Sequence, residues 1–205
     1  MGVISNGTTL LDAGSLDSNI ATGSMVLIKT LTASSDSALS FVHGTSNVVL
    51  DGTYKEYIFK YINLHPSTLA QLLINFRDGG SIFDATKTTS NIAPYHVEND
   101  SDAGVIYRTA WDLAQSTSDL IIAQELGAGN DESASGYFHL FDPANTTFVK
   151  HFLGLTEYYQ QLGGGGPFQV HYAGYCNTTA AIDGVTFKLS TGNIDTGTIK
   201  LYGVK

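Results

Sequence analysis

Charged side chains are scarce in this 205-residue chain: Asp, Glu, Lys and Arg make up only 14% of it, where a soluble domain ordinarily carries about 25%. A surface so poor in charge must be covered by Ser, Thr, Asn and Gly, as on many secreted and assembled β proteins. Bases are scarcer than acids, 10 against 19, for a formal net charge of −9. That balance excludes the basic footprint of a nucleic-acid binder. Cysteine occurs once, at Cys176. It has no internal partner for a disulfide and no Cys/His spacing of a zinc site around it, so it reads as a small core residue. No apolar run approaches the roughly 18 residues that span a bilayer. The start, Met1-Gly-Val-Ile-Ser-Asn-Gly, has no basic segment followed by an apolar one, as a secretory signal requires. Asn6 stands where a myristoylation signal takes Ser or Thr. The expectation is a protein made in a cytosol and not inserted into a membrane.

Apolar residues reach 42% and glycine numbers 22, which suits a packed domain with many turns. No charged or Pro-rich stretch divides the chain, and its length fits one β-sandwich or barrel. Residues 1–23 are rich in Gly, Asn, Ser and Thr and read as an extended N-terminal arm. Residues 24–205 read as a single domain of about ten short strands with no sustained helical period. Tyr54 to Leu64 carries bulk on both faces and is expected to be a central strand. Ala38 to Val42 and Asn47 to Leu50 read as two short strands, with the turn signal Asp51-Gly52 after them. The polar region Ser81 to Gly104 reads as a long loop with at most one short strand. Asp142-Pro143-Ala144-Asn145 reads as a hairpin turn between Gly136–Phe141 and Thr146–Leu153, and Gly163 to Gly166 as a loop. The expected fold is all-β, a jelly-roll-like antiparallel β-sandwich.

Of the histidines at 43, 65, 96, 139, 151 and 171, the last three fall in separate predicted strands, but their spacing forces no metal site. The acidic loops Glu98–Asp102 and Asn130–Glu132 offer oxygen ligands without EF-hand spacing. Asp131, Glu132 and Glu157 could be cast as glycosidase carboxylates, yet any β protein this acidic offers such pairs. Ser133-Ala-Ser135-Gly136 is a poor match to a nucleophile elbow, and the glycine run lacks the Lys-Ser/Thr of a phosphate loop. No catalytic, cofactor or metal set emerges, and none is expected. The aromatic content is more suggestive, because exposed rings give stacking surface with a polar handle. Tyr158-Tyr159, just before the glycine run, is the candidate surface or glycan contact, set against ordinary core or interface packing.

Two passages resemble known proteins: Tyr54-Lys-Glu-Tyr-Ile-Phe-Lys-Tyr-Ile-Asn-Leu-His-Pro-Ser-Thr68 and the ending Phe187-Lys-Leu-Ser-Thr-Gly-Asn-Ile-Asp-Thr-Gly-Thr-Ile-Lys-Leu-Tyr-Gly-Val204. They resemble virion structural proteins of tailed bacteriophages of marine and cyanobacterial type, in which a closing Gly-x-Ile/Phe-x-x-Gly-x-Ile-x-Leu-Tyr-Gly strand ends a jelly-roll domain. Here that pattern runs from Gly192 to Gly203. The resemblance implies a non-enzymatic head-decoration or short-appendage protein. It would be assembled in the bacterial cytoplasm, dock on other virion subunits, and form a homo-oligomer such as a trimer. The alternative is a tail-fibre, receptor-binding or lectin-like module that recognises host surface polysaccharide.

Overall fold

The computed structural model describes residues 24–161 and 163–205. Of the arm it describes only the backbone of three short strands: β1 (Val3–Ser5), β2 (Thr8–Asp12) and β3 (Ser15–Leu16). These pair antiparallel with one another, in a sheet separate from the rest. The remainder of the expected arm lies outside the described residues.

The sandwich begins at β4 (Met25–Thr32) and continues through β5 (Ala38–Val42), β6 (Glu56–Pro66), β7 (Ala70–Arg77), β8 (Lys87–His96) and β9 (Ala103–Tyr107). After a 3-10 turn at Thr109–Trp111 come β10 (Leu120–Leu126), β11 (Ala134–Phe141), β12 (Lys150–Gln160), β13 (Gly166–Cys176), β14 (Gly184–Leu189) and β15 (Ile194–Val204). One layer runs β4-β15-β6-β11-β12-β13-β8-β9 and the other β10-β7-β14-β5. The layers join where Leu126 of β10 meets Gln160 of β12.

This order is that of a jelly roll. Strands β4, β15, β6 and β11 form one four-stranded sheet and β5, β14, β7 and β10 the other, each mixing early and late strands as two Greek keys require. The hairpin β8–β9 is inserted between β7 and β10, and β12–β13 between β11 and β14. Together these two insertions widen the first sheet to eight strands.

Alternation along each strand builds the core between the layers. Tyr57, Phe59 and Tyr61 of β6 point inward, as do Phe138 of β11 and Phe152 of β12. From the opposite layer, Phe76 stacks on Phe152 at 4.9 Å between ring centres and also meets Phe138, and Phe187 packs against Phe59 and Tyr61. Strand β7 is buried on both faces from Leu72 to Phe76, as expected of the middle of a covered sheet. Arg77, at its end, holds Asp183 with a two-point ion pair at 2.8 and 2.9 Å.

Three expectations are corrected. Ser81 to Gly104 is not a loop but holds the ten-residue β8 and the start of β9. Asn47 to Leu50 is not a strand, so the turn at Asp51-Gly52 closes no hairpin there, and β5 pairs with β14 instead. Strand β12 starts at Lys150 and runs on to Gln160, well beyond Leu153.

Candidate interaction face

The outward face of the eight-stranded sheet can be read row by row from the strand register. Tyr107, Ile92, His171, Leu155, Tyr137 and Lys60 lie side by side across six strands. In the next row, Ser90, Ala173, Leu153, His139 and Ile58 are neighbours. Side chains that would be core residues elsewhere stand in solvent here: Tyr107 is 56% exposed, Leu153 and Ile92 43% each, and Tyr137 39%. Single exposed apolar residues are ordinary, whereas contiguous ones mark contact surfaces.

The face is indented by three adjoining hollows. The first, about 410 Å³, is walled by Ile92, Tyr107, Tyr137, Leu153 and His171. The second, about 480 Å³, shares Leu153 and Ala173 with it and adds Phe141, His151 and Tyr175. The third, about 520 Å³, shares Phe141 and His151 and ends at Phe148, which is 69% exposed. They follow β12 lengthwise. Asp142 is the only charged residue among the described residues of their walls. Its carboxylate accepts hydrogen bonds from Asn145 and Lys55, each at 3.0 Å, which hold its pKa below the usual carboxylate range. In a chain of net charge −9, a strip this free of charge and rich in Tyr, Phe and Leu has the composition of a buried interface centre.

A second cleft, of about 610 Å³, is polar and lies at the other end of the sheet, between Asn63, His65, Asp131, Glu132 and Asp195. Two of its residues brace the neighbouring loop at Gly129. Glu132 accepts the Gly129 N–H at 2.5 Å and closes its own loop, and His65 Nε2 meets the Gly129 carbonyl at 3.0 Å. Glu157 is not in this cleft. It lines a separate hollow with Ser133, Ser135 and Tyr159, where burial raises its pKa. The three carboxylates named from the sequence are therefore not assembled around one cavity.

The tyrosine pair is also split. Tyr158 points into the core, is 2% exposed, packs on Phe168, and its hydroxyl accepts the Gln124 N–H at 3.1 Å. Tyr159 points the opposite way and is half-buried. Consecutive residues on a strand face opposite sides, so the two cannot form one platform, and Tyr158 as a surface contact is corrected. The exposed rings of the sheet face, Tyr107 and Tyr137, were not singled out from the sequence.

His139, His151 and His171 do share the outward face, on adjacent strands, but in different rows. His139 Nδ1 is paired with Glu56. Among the described residues no group of three His, Cys, Asp or Glu is placed to hold a metal ion. In the loop 98–102, Tyr95 donates to Asp102 and His96 contacts Asp100, each at 2.9 Å. No helix among the described residues is long and apolar enough to cross a membrane.

No family model, curated protein or solved structure matches the chain.

Proposed function

We propose that this protein is a non-enzymatic structural subunit of a tailed-bacteriophage particle, a head-decoration or short-appendage jelly roll that docks on other virion subunits. The observation that carries the reading is the charge-poor strip of Tyr107, Tyr137, Leu153, Phe141 and Phe148 along the outward face. A sheet that closes its core on one side and leaves such a strip on the other is suited to pack against a neighbour. The jelly-roll order and the sequence likeness of Gly192–Gly203 to virion jelly rolls support the same reading. Mass spectrometry of purified particles tests it. Hundreds of copies per particle relative to the major capsid protein fit decoration of the head, and tens fit the tail. Absence from particles overturns the reading.

A second reading is favoured by the first hollow, where two exposed tyrosines and His171 border a concavity of about 410 Å³. Tyrosine faces stack on the C–H faces of sugars while hydroxyl and imidazole groups hydrogen-bond to their rims. In this reading the protein is a tail-fibre, receptor-binding or lectin-like module for host polysaccharide. Tyr107→Ala with Tyr137→Ala then abolishes glycan binding with the fold intact. Binding that survives both substitutions rules the site out.

A further inference from the structure

Strand β9 is the last strand of the eight-stranded sheet and, among the described residues, pairs only with β8. The register Ile92↔Tyr107 to His96↔Ala103, with Val97 N–H donating to the Asp102 carbonyl and Arg108 N–H to the Asn91 carbonyl, fixes which backbone groups face β8. Residues 102, 104, 106 and 108 do so. In an antiparallel ladder the alternate residues then point their N–H and C=O the other way. Ala103, Val105 and Tyr107 thus present unpaired donors and acceptors on the open edge, and none has a backbone partner there among the described residues.

Native sheets usually blunt such an edge with Lys, Pro or a bulge. Strand β9 reads Ala-Gly-Val-Ile-Tyr, carries none of these, and has no break in its register. Val105 is 66% exposed and Tyr107 56%.

We infer that β9 pairs with β9 of a second copy of this chain across a two-fold axis at Val105, joining two sheets into one. The inference deepens the reading of the protein as an assembled subunit, and rests on it, by naming one partner. The register follows from symmetry. With Val105 opposite itself, Ala103 lies opposite the partner's Tyr107, so every open donor on one strand meets an open acceptor on the other.

Charge selects the same arrangement. Residue 102 falls opposite residue 108 of the second copy at both ends of the strand pair. Asp102 is exposed, and Arg108 has no carboxylate partner among the described residues. Instead its guanidinium lies over Trp111 and Phe168, and its Nε has no hydrogen-bond partner among the described residues. Both side chains sit on the inward side of the sheet, since Asp102 is held by Tyr95 and Arg108 by Phe168. Two copies of an acidic chain repel one another generally; here the register sets an acid against a base twice. Isologous contacts of this kind close as a dimer.

The test is the mass of the purified full chain by light scattering over a dilution series, with circular dichroism to report folding. The expected result is twice the chain mass for the wild type and the single-chain mass for Val105→Lys, which places two ammonium groups face to face at the axis. Val105→Cys should form an intermolecular disulfide under mild oxidation and Ile106→Cys should not, because only the former side chain meets its own copy on the open face. A monomeric wild type, a dimer indifferent to Val105→Lys, or equal crosslinking of both cysteine variants overturns the inference. A monomer that is still counted in purified particles separates this failure from failure of the virion reading.

Discussion

Lys150 and Cys176 face each other across β12 and β13, and Lys87 faces the same cysteine from β8 on its other side. All three side chains are fully buried. Among the described residues the lysines have no carboxylate within ion-pair distance; Lys87 Nζ donates to the Ala85 carbonyl and Lys150 Nζ to the Thr178 carbonyl, both at 2.9 Å. Two cations held by neutral oxygens are an expensive way to fill a core, and burial lowers the pKa of both.

Replacing Lys87 by Met should therefore stabilise the protein, by up to about 4 kcal/mol on the scale seen when buried ion pairs give way to apolar groups of similar volume. The sign with pH follows from the lowered pKa. Below the folded-state value the lysine is charged in both states and the burial penalty is complete. As pH rises through the folded value toward the unfolded one, near 10.4, the native state sheds its proton first and the penalty fades. The advantage of Lys87→Met in thermal melts should thus be largest near neutral pH and shrink in alkali. An advantage that grows with pH would contradict this account.

Burial pushes the Cys176 thiol up to about 12, although the two lysines pull it down. The native thiol is then protonated at any physiological pH and unreactive. Thiol reagents at pH 8 should label it only on unfolding, at the rate of global opening. Because the folded value lies above the unfolded one, stability is lost as pH climbs past the ordinary thiol range, when only the unfolded state ionises. Cys176→Ala should flatten this part of the alkaline decline, measured by urea midpoints at pH 8 and 10. Rapid labelling of the folded chain would place the thiol outside the core.

The jelly roll was legible in the sequence where apolar residues alternate, as at Tyr57, Phe59 and Tyr61, and in the closing strand. Strand β8 was not, because its inward positions are Lys87, Thr89, Asn91 and Ala93, a pattern that reads as loop. Two of them find partners in the segment after β9: the Asn91 amide donates to the Trp111 carbonyl and Thr89 accepts the Leu113 N–H. Such long-range partners leave no local signal. The interaction face was missed for a related reason. With β12 ended at Leu153, Tyr158 and Tyr159 fell in a loop, although Phe152, Gly154, Thr156 and Tyr158 carry the strand's inward alternation onward.

The Arg77–Asp183 pair fastens β7 to the start of β14. Its two parallel bonds are the geometry in which an ion pair contributes most, and the Arg77 side chain is largely covered, at 16% exposure. Asp183→Asn should cost about 1–3 kcal/mol, whereas Lys55→Ala, which breaks a pair whose lysine is 76% exposed, should cost less than about 1 kcal/mol. Denaturant titrations of the two variants that give equal losses would contradict this ranking.

Under the interaction face, Tyr61 reaches across the sheet to donate to the Leu155 carbonyl at 2.9 Å, and its hydroxyl lies 2.6 Å from that of Thr156 and 3.3 Å from that of Tyr172. Two glycines make the room. A Cβ on Gly136 would run into the Leu155 carbonyl and stand 2.6 Å from the Tyr61 hydroxyl, and one on Gly154 would run into the Tyr172 ring. Gly154→Ala must therefore displace a fully packed tyrosine and should cost about 1–3 kcal/mol or more. Tyr61→Phe removes only the hydroxyl and should cost about 1–2 kcal/mol. The two are coupled through Tyr172, so the double variant should lose less than the sum of the singles. Strict additivity in urea unfolding would mean that Tyr61 and Gly154 act on separate parts of the core and that the hydroxyl cluster is not one unit.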